Sequence, residues 1–275
     1  MKFKSIFIIG ALAFSFGSLQ AATTLPTGPT APPPAELFQN QQSVLELIGT
    51  EVWNLQNEKL GRVKFITADL ENGRLIEVVV GSGGFLGFGR RVTSIPPRAL
   101  TLDPHRQIMR LNVTKARFDA APRFDPSDVA AYSNRHRVAA VLRYYGLQPW
   151  FRVDGEAGGK GATLLNLAHV KRTNDILGLQ IKSLTGEYLG QVGGLLLDLP
   201  KGVINNVVND AQAMDGSSSY LLRPTALRYN AAHTGLVLNE TFAAVKNEPH
   251  YKKIGGTRAS FEKEAPGKRT VPAAR

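Results

Sequence analysis

The stretch Ile48-Gly-Thr-Glu-Val-Trp-Asn-Leu-Gln-Asn-Glu-Lys-Leu-Gly-Arg-Val63 returns later in the chain, re-spelled but in phase, as Leu177-Gly-Leu-Gln-Ile-Lys-Ser-Leu-Thr-Gly-Glu-Tyr-Leu-Gly-Gln-Val192. The ungapped alignment keeps identical residues at these places: Gly49 and Gly178, Leu55 and Leu184, Glu58 and Glu187, Leu60 and Leu189, Gly61 and Gly190, and Val63 and Val192. Each copy has the size of a domain rather than of a short solenoid repeat. The sequence therefore predicts two packed domains in tandem.

Short runs rich in β-branched residues follow in each copy and end at glycines. In the first copy they are Val63–Thr67, Leu75–Val80, Arg91–Ile95 and Ile108–Val113. Such runs predict strands, and Asn72-Gly73 between two of them predicts a hairpin turn. After a two-residue deletion in the second copy, Pro97-Arg-Ala-Leu100 aligns with Pro224-Thr-Ala-Leu227. The predicted fold class is all-β with minor helices.

Several of these motifs together resemble the PRC-barrel family, a small β-barrel found in the photosynthetic reaction-centre H subunit and in a ribosome-maturation factor. They are Glu58-Lys-Leu-Gly61, Gly83-Gly-Phe-Leu-Gly87, Ile95-Pro-Pro-Arg-Ala-Leu100 and Leu111-Asn-Val-Thr-Lys115. The resemblance is close over Leu47 to Phe124 and looser over Leu164 to Tyr251. It implies two small PRC-type barrels in tandem joined by a helical linker, and it is specific for fold rather than for function. The second copy departs from the pattern at Met214-Asp-Gly-Ser-Ser-Ser219.

The resulting division of the chain has six parts. We predict a signal peptide (1–21), a proline-rich spacer (22–43), a first barrel (44–124), a helical and glycine-rich linker (125–163), a second barrel (164–251) and a basic disordered tail (252–275). In the linker, Asp125 and Pro126 predict the start of a helix that runs to about Tyr145 and stops at Gly146. The helix face predicted to pack on a barrel comprises Val129, Tyr132, His136, Ala139, Leu142 and Tyr145.

The N-terminus has the pattern of an export signal. Lys2 and Lys4 precede an apolar run, Ile6 to Phe16, and small residues follow at Ala21-Ala22. The run is shorter than the about 20 residues that span a bilayer, so we expect cleavage after Ala21, with an uncleaved anchor as the alternative. The chain has no cysteine, which excludes a lipoprotein anchor, disulfides and thiol chemistry. We therefore expect a periplasmic or secreted protein of a Gram-negative bacterium.

The positive charge is concentrated in the tail. The net charge is +11, and seven Lys or Arg against two Glu between 252 and 275 account for five of these charges. Candidate contacts to polyanions are Lys252, Lys253, Arg258, Lys263, Lys268 and Arg269. Because much of the excess positive charge lies in this one segment, the charge counts do not require a barrel face that binds polyanions.

The glycine-rich stretch Gly81 to Arg91 is the most prominent candidate site. Leu86 stands where a dinucleotide fingerprint needs its third glycine, and Arg90-Arg91 stand where a phosphate loop needs Lys and Ser or Thr. Both of those motifs are excluded. A hairpin with exposed phenylalanines is one interpretation. The other is a partner-docking loop formed by Phe85, Leu86, Phe88, Arg90 and Arg91, because apolar residues flanked by arginine favour interfaces.

The sequence indicates no catalytic, metal-binding or cofactor-binding residues. The five histidines are scattered without metal-ligand spacing, and no Gly-x-Ser-x-Gly motif occurs. The repeated pairs Asp69 and Asp198, and Glu58 and Glu187, lie at predicted turns, where such residues serve backbone hydrogen bonding. We predict a non-enzymatic exported adaptor that docks envelope proteins through its barrels. The alternative is electrostatic binding of acidic polymers or lipid headgroups through the tail. An enzyme or an RNA-associated factor is less favoured, nucleic acid is not an expected partner, and the oligomeric state is open.

Overall fold

A computed structural model of the chain describes residues 41–82, 91–103, 105–153, 167, 169–211, 219–241, 250–254 and 260–263, with the backbone alone for 91, 250–254 and 260–263. The described residues are mostly β, as the sequence predicts. Their strands pair into one sheet, which is not closed. The pairing thus differs from two separately closed barrels.

The elements of the first half alternate short strands with short helical turns. They are β1 (Gln42–Ser43), α1 (Val44–Leu47), β2 (Glu51–Asn54), β3 (Lys59–Asp69), β4 (Arg74–Ser82), β5 (Arg91–Ile95), a 3-10 turn (Pro97–Ala99), β6 (Leu100–Asp103), β7 (Ile108–Leu111), α2 (Lys115–Asp119), α3 (Val129–Ser133) and α4 (Arg135–Tyr144). The hairpin turn predicted at Asn72-Gly73 is present, and Gly73 has a φ of 61° that a residue with a Cβ rarely adopts. Thr114 caps α2 by accepting from the amide of Arg117.

The second half has a closely similar order of elements. They are β8 (Val170–Arg172), α5 (Thr173–Ile176), β9 (Gln180–Lys182), β10 (Tyr188–Asp198), β11 (Val203–Asp210), β12 (Ser219–Leu222), a 3-10 turn (Pro224–Ala226), β13 (Leu227–Tyr229), β14 (Gly235–Leu238), β15 (His250–Ile254) and β16 (Ser260–Lys263). The long strand β10 pairs with β9 and β11, as β3 pairs with β2 and β4. The register shift that makes Lys64 an extra residue of β3 has its counterpart at Gly193 of β10.

Two short strands cross between the halves. The strand β1 pairs with β10, with Ser43 opposite Leu196, and β8 pairs with β3, with Arg172 opposite Thr67. In the register that aligns Ile48 with Leu177, these two pairings correspond to each other. Each half therefore contributes a strand to the sheet of the other half.

The two central hairpin turns also meet each other. The amide of Leu75 donates to the carbonyl oxygen of Gly202 at 3.0 Å, and the amide of Ile204 donates to that of Gly73 at 2.9 Å. These bonds are reciprocal in the aligned register. They form an approximate twofold relation around the contact between Arg74 of β4 and Val203 of β11.

One apolar core extends through both halves, and a second core lies on the outer side of the first half. The main core joins Val44, Ile66 and Leu111 to Leu195 and Leu236, among others. The second core packs α3 and α4 against the sheet and contains Ile76, Tyr132, Val138, Ala139, Leu142, Phe151, Val153, Leu167 and Val170. Helix packing thus covers the face of β3 and β4 that points away from the main core.

The linker helix differs from its prediction in start, continuity and face. Asp128 caps α3, while the carboxylate of Asp125 accepts from the amide and hydroxyl of Ser127 instead. Asn134 leaves the helical conformation and caps α4, so there are two helices instead of one. Val129 is 63% exposed and His136 is exposed, so neither belongs to the packed face. Asp128 wins as cap because its side chain reaches two amides of the first turn, those of Ala130 and Ala131.

The prediction that the tail is disordered is wrong for part of it. Residues 252–254 continue β15, which pairs with β12, and residues 260–263 form β16, which pairs with β15. The physical reason is the open edge of β12, whose unpaired backbone groups offer a template for another strand. At the corresponding edge of the first half, the described residues form one isolated bridge, between Thr93 and Arg123. Pro126 follows shortly after this bridge and has no amide hydrogen to donate to a further strand pairing.

Candidate functional site

The structure places the ends of the predicted docking loop but not its tip. Phe85, Leu86, Phe88 and Arg90 lie outside the described residues, and Arg91 begins β5 opposite Ser82, the last residue of β4. Of the predicted polyanion contacts, Lys252 and Lys253 lie in β15 and Lys263 in β16. Arg258, Lys268 and Arg269 lie outside the described residues.

A cleft opens directly at the base of this loop. Its volume is about 370 Å³, and its lining residues are Lys59, Leu60, Gly61, Arg62, Lys64, Gly81, Ser82 and Lys115. They come from β3, from the end of β4 and from the start of α2. Four of the eight lining residues are Lys or Arg, so the cleft is strongly basic.

Two glycines determine the shape of the cleft. A Cβ on Gly61 would lie 2.4 Å from the carbonyl oxygen of Gly81, so the two strands approach more closely here than side chains allow. A Cβ on Gly81 would lie 2.5 Å from Cε of Lys64, so the methylene chain of Lys64 lies across the bare backbone of Gly81. Lys64 is also the extra residue of the β3 bulge, which redirects its side chain relative to the regular pleat.

Two carboxylates balance part of the positive charge. Glu51 accepts from Lys59 at 2.6 Å and forms a short ion pair with Arg62. Hydrogen bonds from Lys59 and Trp53 lower the pKa of Glu51, so it is ionised at neutral pH. Lys115 lies 3.4 Å from Asp119. Lys64 forms no ion pair within the part of the chain that the structure describes, and the four cations together with Glu51 and Asp119 carry a net charge of +2.

Comparison with known proteins assigns this region to a family. Residues 41–118 match the sequence profile of the PRC-barrel domain. This segment is a PRC-barrel domain. No curated protein sequence matches the chain. All of the residues that line the basic cleft fall inside the PRC-barrel domain.

The corresponding place in the second half carries no cation. In the aligned register, the cleft residues of the PRC-barrel domain at 59, 62, 64 and 81 become Tyr188, Gln191, Gly193 and Asp210. In the first half the side chain of Lys64 on β3 lies over Gly81 on β4, whereas in the second half the glycine is Gly193 on β10 and the side chain is that of Asp210 on β11. A Cβ on Gly193 would lie 3.1 Å from Cβ of Asp210. Within the part of the chain that the structure describes, the basic cleft therefore belongs to the PRC-barrel domain, and the aligned positions of the second half lack its cations.

A second group of titratable side chains lies where the PRC-barrel domain meets the second half. The rings of His169, Tyr229 and His233 stack with centroid separations between 5.3 and 6.1 Å. The amide of Tyr229 donates to Glu71 of the PRC-barrel domain at 2.8 Å. Burial raises the pKa of the Tyr229 hydroxyl, and it also raises the pKa of Asp69. The group holds the two halves together.

The repeated carboxylates are turn residues, as the sequence predicts. Asp69 accepts from the amide and the side chain of Asn72, and Asp198 accepts from the amide of Lys201. Within the described ranges, no cluster of three or more His, Cys, Asp or Glu side chains could hold a metal ion. The described helices are all too short or too polar to cross a bilayer.

Sequence reasoning missed the four cations of the cleft. Lys59, Arg62 and Lys64 are close in the sequence, but Lys115 is distant, and a count of charges along the chain averages them with neighbouring acids. The bulge at Lys64 was the decisive feature. Its only sequence signal is the pair of glycines, Gly61 and Gly81, on adjacent strands.

Proposed function

We propose that the chain is a non-enzymatic, exported adaptor of the bacterial cell envelope. Its PRC-barrel domain docks a partner protein through the β4–β5 loop, which contains Phe85, Leu86, Phe88 and Arg90 and is followed by Arg91, and the basic cleft lies at the Gly81 and Ser82 end of this loop. The observation that carries this proposal is the convergence of four cations beside a loop that is rich in aromatic residues and arginine. Aromatic residues and arginine are enriched where binding energy is concentrated.

The proposal includes a second PRC-type barrel at 164–251, joined to the first (44–124) by the helical linker 125–163. Its support is the equivalence of pairings between the halves. In the aligned register, the parallel pairing of Val52 with Met109 corresponds to that of Ile181 with Leu236, and three bulges recur at matching places. Because the two halves share the same strand pairings and the same bulges, a tandem duplication explains them best.

An adaptor needs separate binding surfaces on a stable support. The strands β4 and β11 begin at the contact between Arg74 and Val203 and run in opposite directions, over nine and eight residues. At about 3.3 Å per residue, the far ends of these strands, Ser82 and Asp210, lie up to roughly 50 Å apart. The first loop contains Phe85, Phe88 and Arg90, whereas the second contains Met214 and Asp215. Such different loops suit two different partners.

The first experiment compares retention of envelope proteins by four immobilised versions of residues 22–275. They are the unchanged chain, Phe85→Ser with Phe88→Ser, Lys64→Gln with Lys115→Gln, and a control, Lys182→Gln, which changes an exposed lysine of β9. We expect one discrete protein to be retained at high salt by the unchanged chain and the control, and to be lost with the loop variant. Equal retention by the loop variant and the control would contradict loop docking.

A second candidate function is electrostatic binding of acidic polymers or lipid headgroups through the tail. It is favoured by the hairpin of β15 and β16, in which Tyr251 pairs with Lys263 and Lys252 with Glu262, so the backbone gathers the basic residues. Its test is Lys252→Gln with Lys253→Gln and Lys263→Gln. If this variant no longer binds acidic polymers or lipid headgroups, and if the unchanged chain stops binding them at moderate salt, the binding function belongs to the tail.

Export has its own test. We expect the protein recovered from the periplasm of a Gram-negative host to begin at Ala22, as measured by intact mass. A mass that includes residues 1–21 would support the uncleaved anchor, and recovery only from the cytoplasm would contradict export.

A further inference from the structure

We propose that the basic cleft of the PRC-barrel domain binds a phosphate group with a charge near −2, that is, a phosphomonoester. The inference rests on the proposed function only in that both use the surface at the base of the β4–β5 loop. It gives this surface a ligand of its own, separate from the partner protein that the loop docks.

The charge balance of the cleft favours a divalent anion. Lys59, Arg62, Lys64 and Lys115 supply four positive charges, and Glu51 and Asp119 offset two of them. A phosphomonoester carries about −1.5 to −2 charges at neutral pH. A carboxylate or a phosphodiester carries about −1 and would leave a cation without a partner. The divalent phosphate therefore matches the residual charge.

The cations that line the cleft come from two elements. Lys59, Arg62 and Lys64 belong to β3, and Lys115 belongs to α2. Hydrogen bonds to Glu51 and to the carbonyl oxygen of Gly49 hold the Arg62 guanidinium in place. A fixed guanidinium forms stronger and more specific bonds to phosphate oxygens than a free one. Lys64 and Lys115 are the adjustable contacts.

The cleft has room for the anion beside Lys64, whose methylene chain covers the backbone of Gly81. Ser82 adds a hydroxyl that can donate to a phosphate oxygen. A volume of about 370 Å³ lies within the range of about 300 to 1,000 Å³ that small-molecule sites occupy. The cleft therefore accommodates the phosphate together with part of the group that it esterifies.

The second half provides a natural control for this assignment. It keeps the same bulge but has Gly193 in place of Lys64 and Asp210 in place of Gly81. An aspartate at this position repels an anion. The twofold relation thus predicts one phosphate site per chain rather than two.

The test is a calorimetric titration of residues 22–275 with inorganic phosphate at neutral pH and low salt. Lys64→Gln with Lys115→Gln should bind phosphate about tenfold more weakly or worse, because two charge-assisted hydrogen bonds are lost. Lys182→Gln, a control with one exposed cation removed from the second half, should bind like the unchanged chain. Acetate should bind at least tenfold more weakly than phosphate.

Three results would overturn the proposal. One is the absence of phosphate binding by the unchanged chain. A second is equal affinity of the unchanged chain and the cleft variant, which would place the anion elsewhere, for example on the tail. Equal affinity for acetate and phosphate would reduce the site to a general anion site and overturn the phosphate assignment.

The same proteins distinguish the source of the phosphate and separate this proposal from loop docking. Vesicles of phosphatidylcholine with phosphatidic acid present the group on a lipid headgroup. If the protein is retained on these vesicles and inorganic phosphate abolishes the retention, the site binds a lipid headgroup. If the protein binds inorganic phosphate but is not retained on the vesicles, the site binds a phosphate ester in solution. Phe85→Ser with Phe88→Ser should still bind phosphate, so failure of loop docking and failure of the cleft proposal give different results.

Discussion

The outer faces of β3–β4 and β10–β11 have the same backbone and opposite surroundings. On the first, Phe65, Ile76 and the buried Glu77 lie beneath α3 and α4. In the aligned register, the second has Gly194, Asn205 and Asn206, and both asparagines are half-buried. The residues that point to the main core stabilise the strands in both halves, so the residues on the outer face can differ between the halves. The difference shows that the outer face of this strand arrangement accepts either apolar residues beneath helices or asparagines at the same positions.

The covered face contains an ion pair that has no counterpart on the other. Glu77 is 1% exposed, and its carboxylate accepts from both terminal nitrogens of Arg137 at 3.0 and 2.6 Å. The guanidinium also lies 4.5 Å from the ring centre of Phe124 and donates to the carbonyl oxygen of Ala131. Burial raises the pKa of Glu77, although Arg137 acts against this rise. The pair fixes the position of the helices on the sheet.

The largest expected effect is therefore that of Arg137→Met. It leaves the Glu77 carboxylate buried without its positively charged partner, which costs about 3 to 5 kcal/mol of the free energy of unfolding. The measurement is denaturant unfolding, with Arg223→Met as control, because Arg223 pairs with Glu240 on the exposed surface and its loss should cost less than about 1 kcal/mol. Equal losses in the two variants would contradict the importance of the covered face.

The pH dependence of the same variant sharpens the comparison. Without Arg137, burial opposes only the weaker hydrogen bond from Ser94, so the pKa of Glu77 in the folded state lies above its value in the unfolded state. Stability is then greatest below the unfolded pKa of about 4.3 and falls as pH rises through the folded pKa. Arg137→Met should accordingly regain part of its lost stability between pH 7 and pH 5, relative to the unchanged chain. A deficit that is independent of pH would show that Glu77 is not the cause.

The second expected effect concerns strand spacing at the cleft. Gly61→Ala places a Cβ 2.4 Å from the carbonyl oxygen of Gly81 and should cost about 1 to 3 kcal/mol. Gly194→Ala is the control in β10, because its nearest neighbour would lie at an ordinary 3.6 Å. Thermal unfolding of both variants checks the prediction. A loss at position 194 as large as that at 61 would contradict the close approach at the cleft.

The third effect concerns the asymmetric contact between the halves. Glu71→Ala removes the acceptor for the amide of Tyr229 and should cost about 1 to 2 kcal/mol, because that amide is left without its partner. The aligned residue of the second half is Pro200, so no reciprocal bond compensates. Glu187→Ala, an exposed residue of a turn, should change the stability by less than about 0.5 kcal/mol. Indistinguishable unfolding curves for the two variants would contradict the role of Glu71.

The smallest effect is a gain of binding in the second half. Gly193→Lys with Asp210→Gly copies the relation between Lys64 and Gly81 onto β10 and β11. We expect a second phosphate site, weaker than the first because Tyr188 and Gln191 supply no charge. Calorimetry should show the stoichiometry rising above one per chain. An unchanged stoichiometry would indicate that one lysine over a bare backbone is not sufficient.

The sequence predicts the strands of this protein well because their signals are local. Glycine turns such as Gly73, and turn carboxylates such as Asp69, act within a few residues. The exchanged strands β1 and β8 were not predictable in this way, since two or three residues carry no periodicity and their partners lie in the other half. The linker shows a related limit, because Asp125 and Asp128 are the same type of cap, and only the folded backbone shows that Asp128 reaches the amides of the first turn.

The candidate site was predictable only in part. The loop from 83 to 90 attracts notice by composition, but the cleft beside it depends on a bulge at Lys64 and on the distant Lys115. Charge counting directs attention to the tail, whereas the pairing of strands brings four cations together on the PRC-barrel domain. Spatial convergence of this kind has no one-dimensional signal.

The most direct test of the account follows backbone amide resonances of residues 22–275 during a phosphate titration. We predict saturable shifts at Gly61, Lys64 and Gly81, with little change at their counterparts Gly190, Gly193 and Asp210. Equal shifts in both halves, or shifts confined to residues beyond 251, would contradict the claim that the two halves share a scaffold but only the first carries the binding cleft.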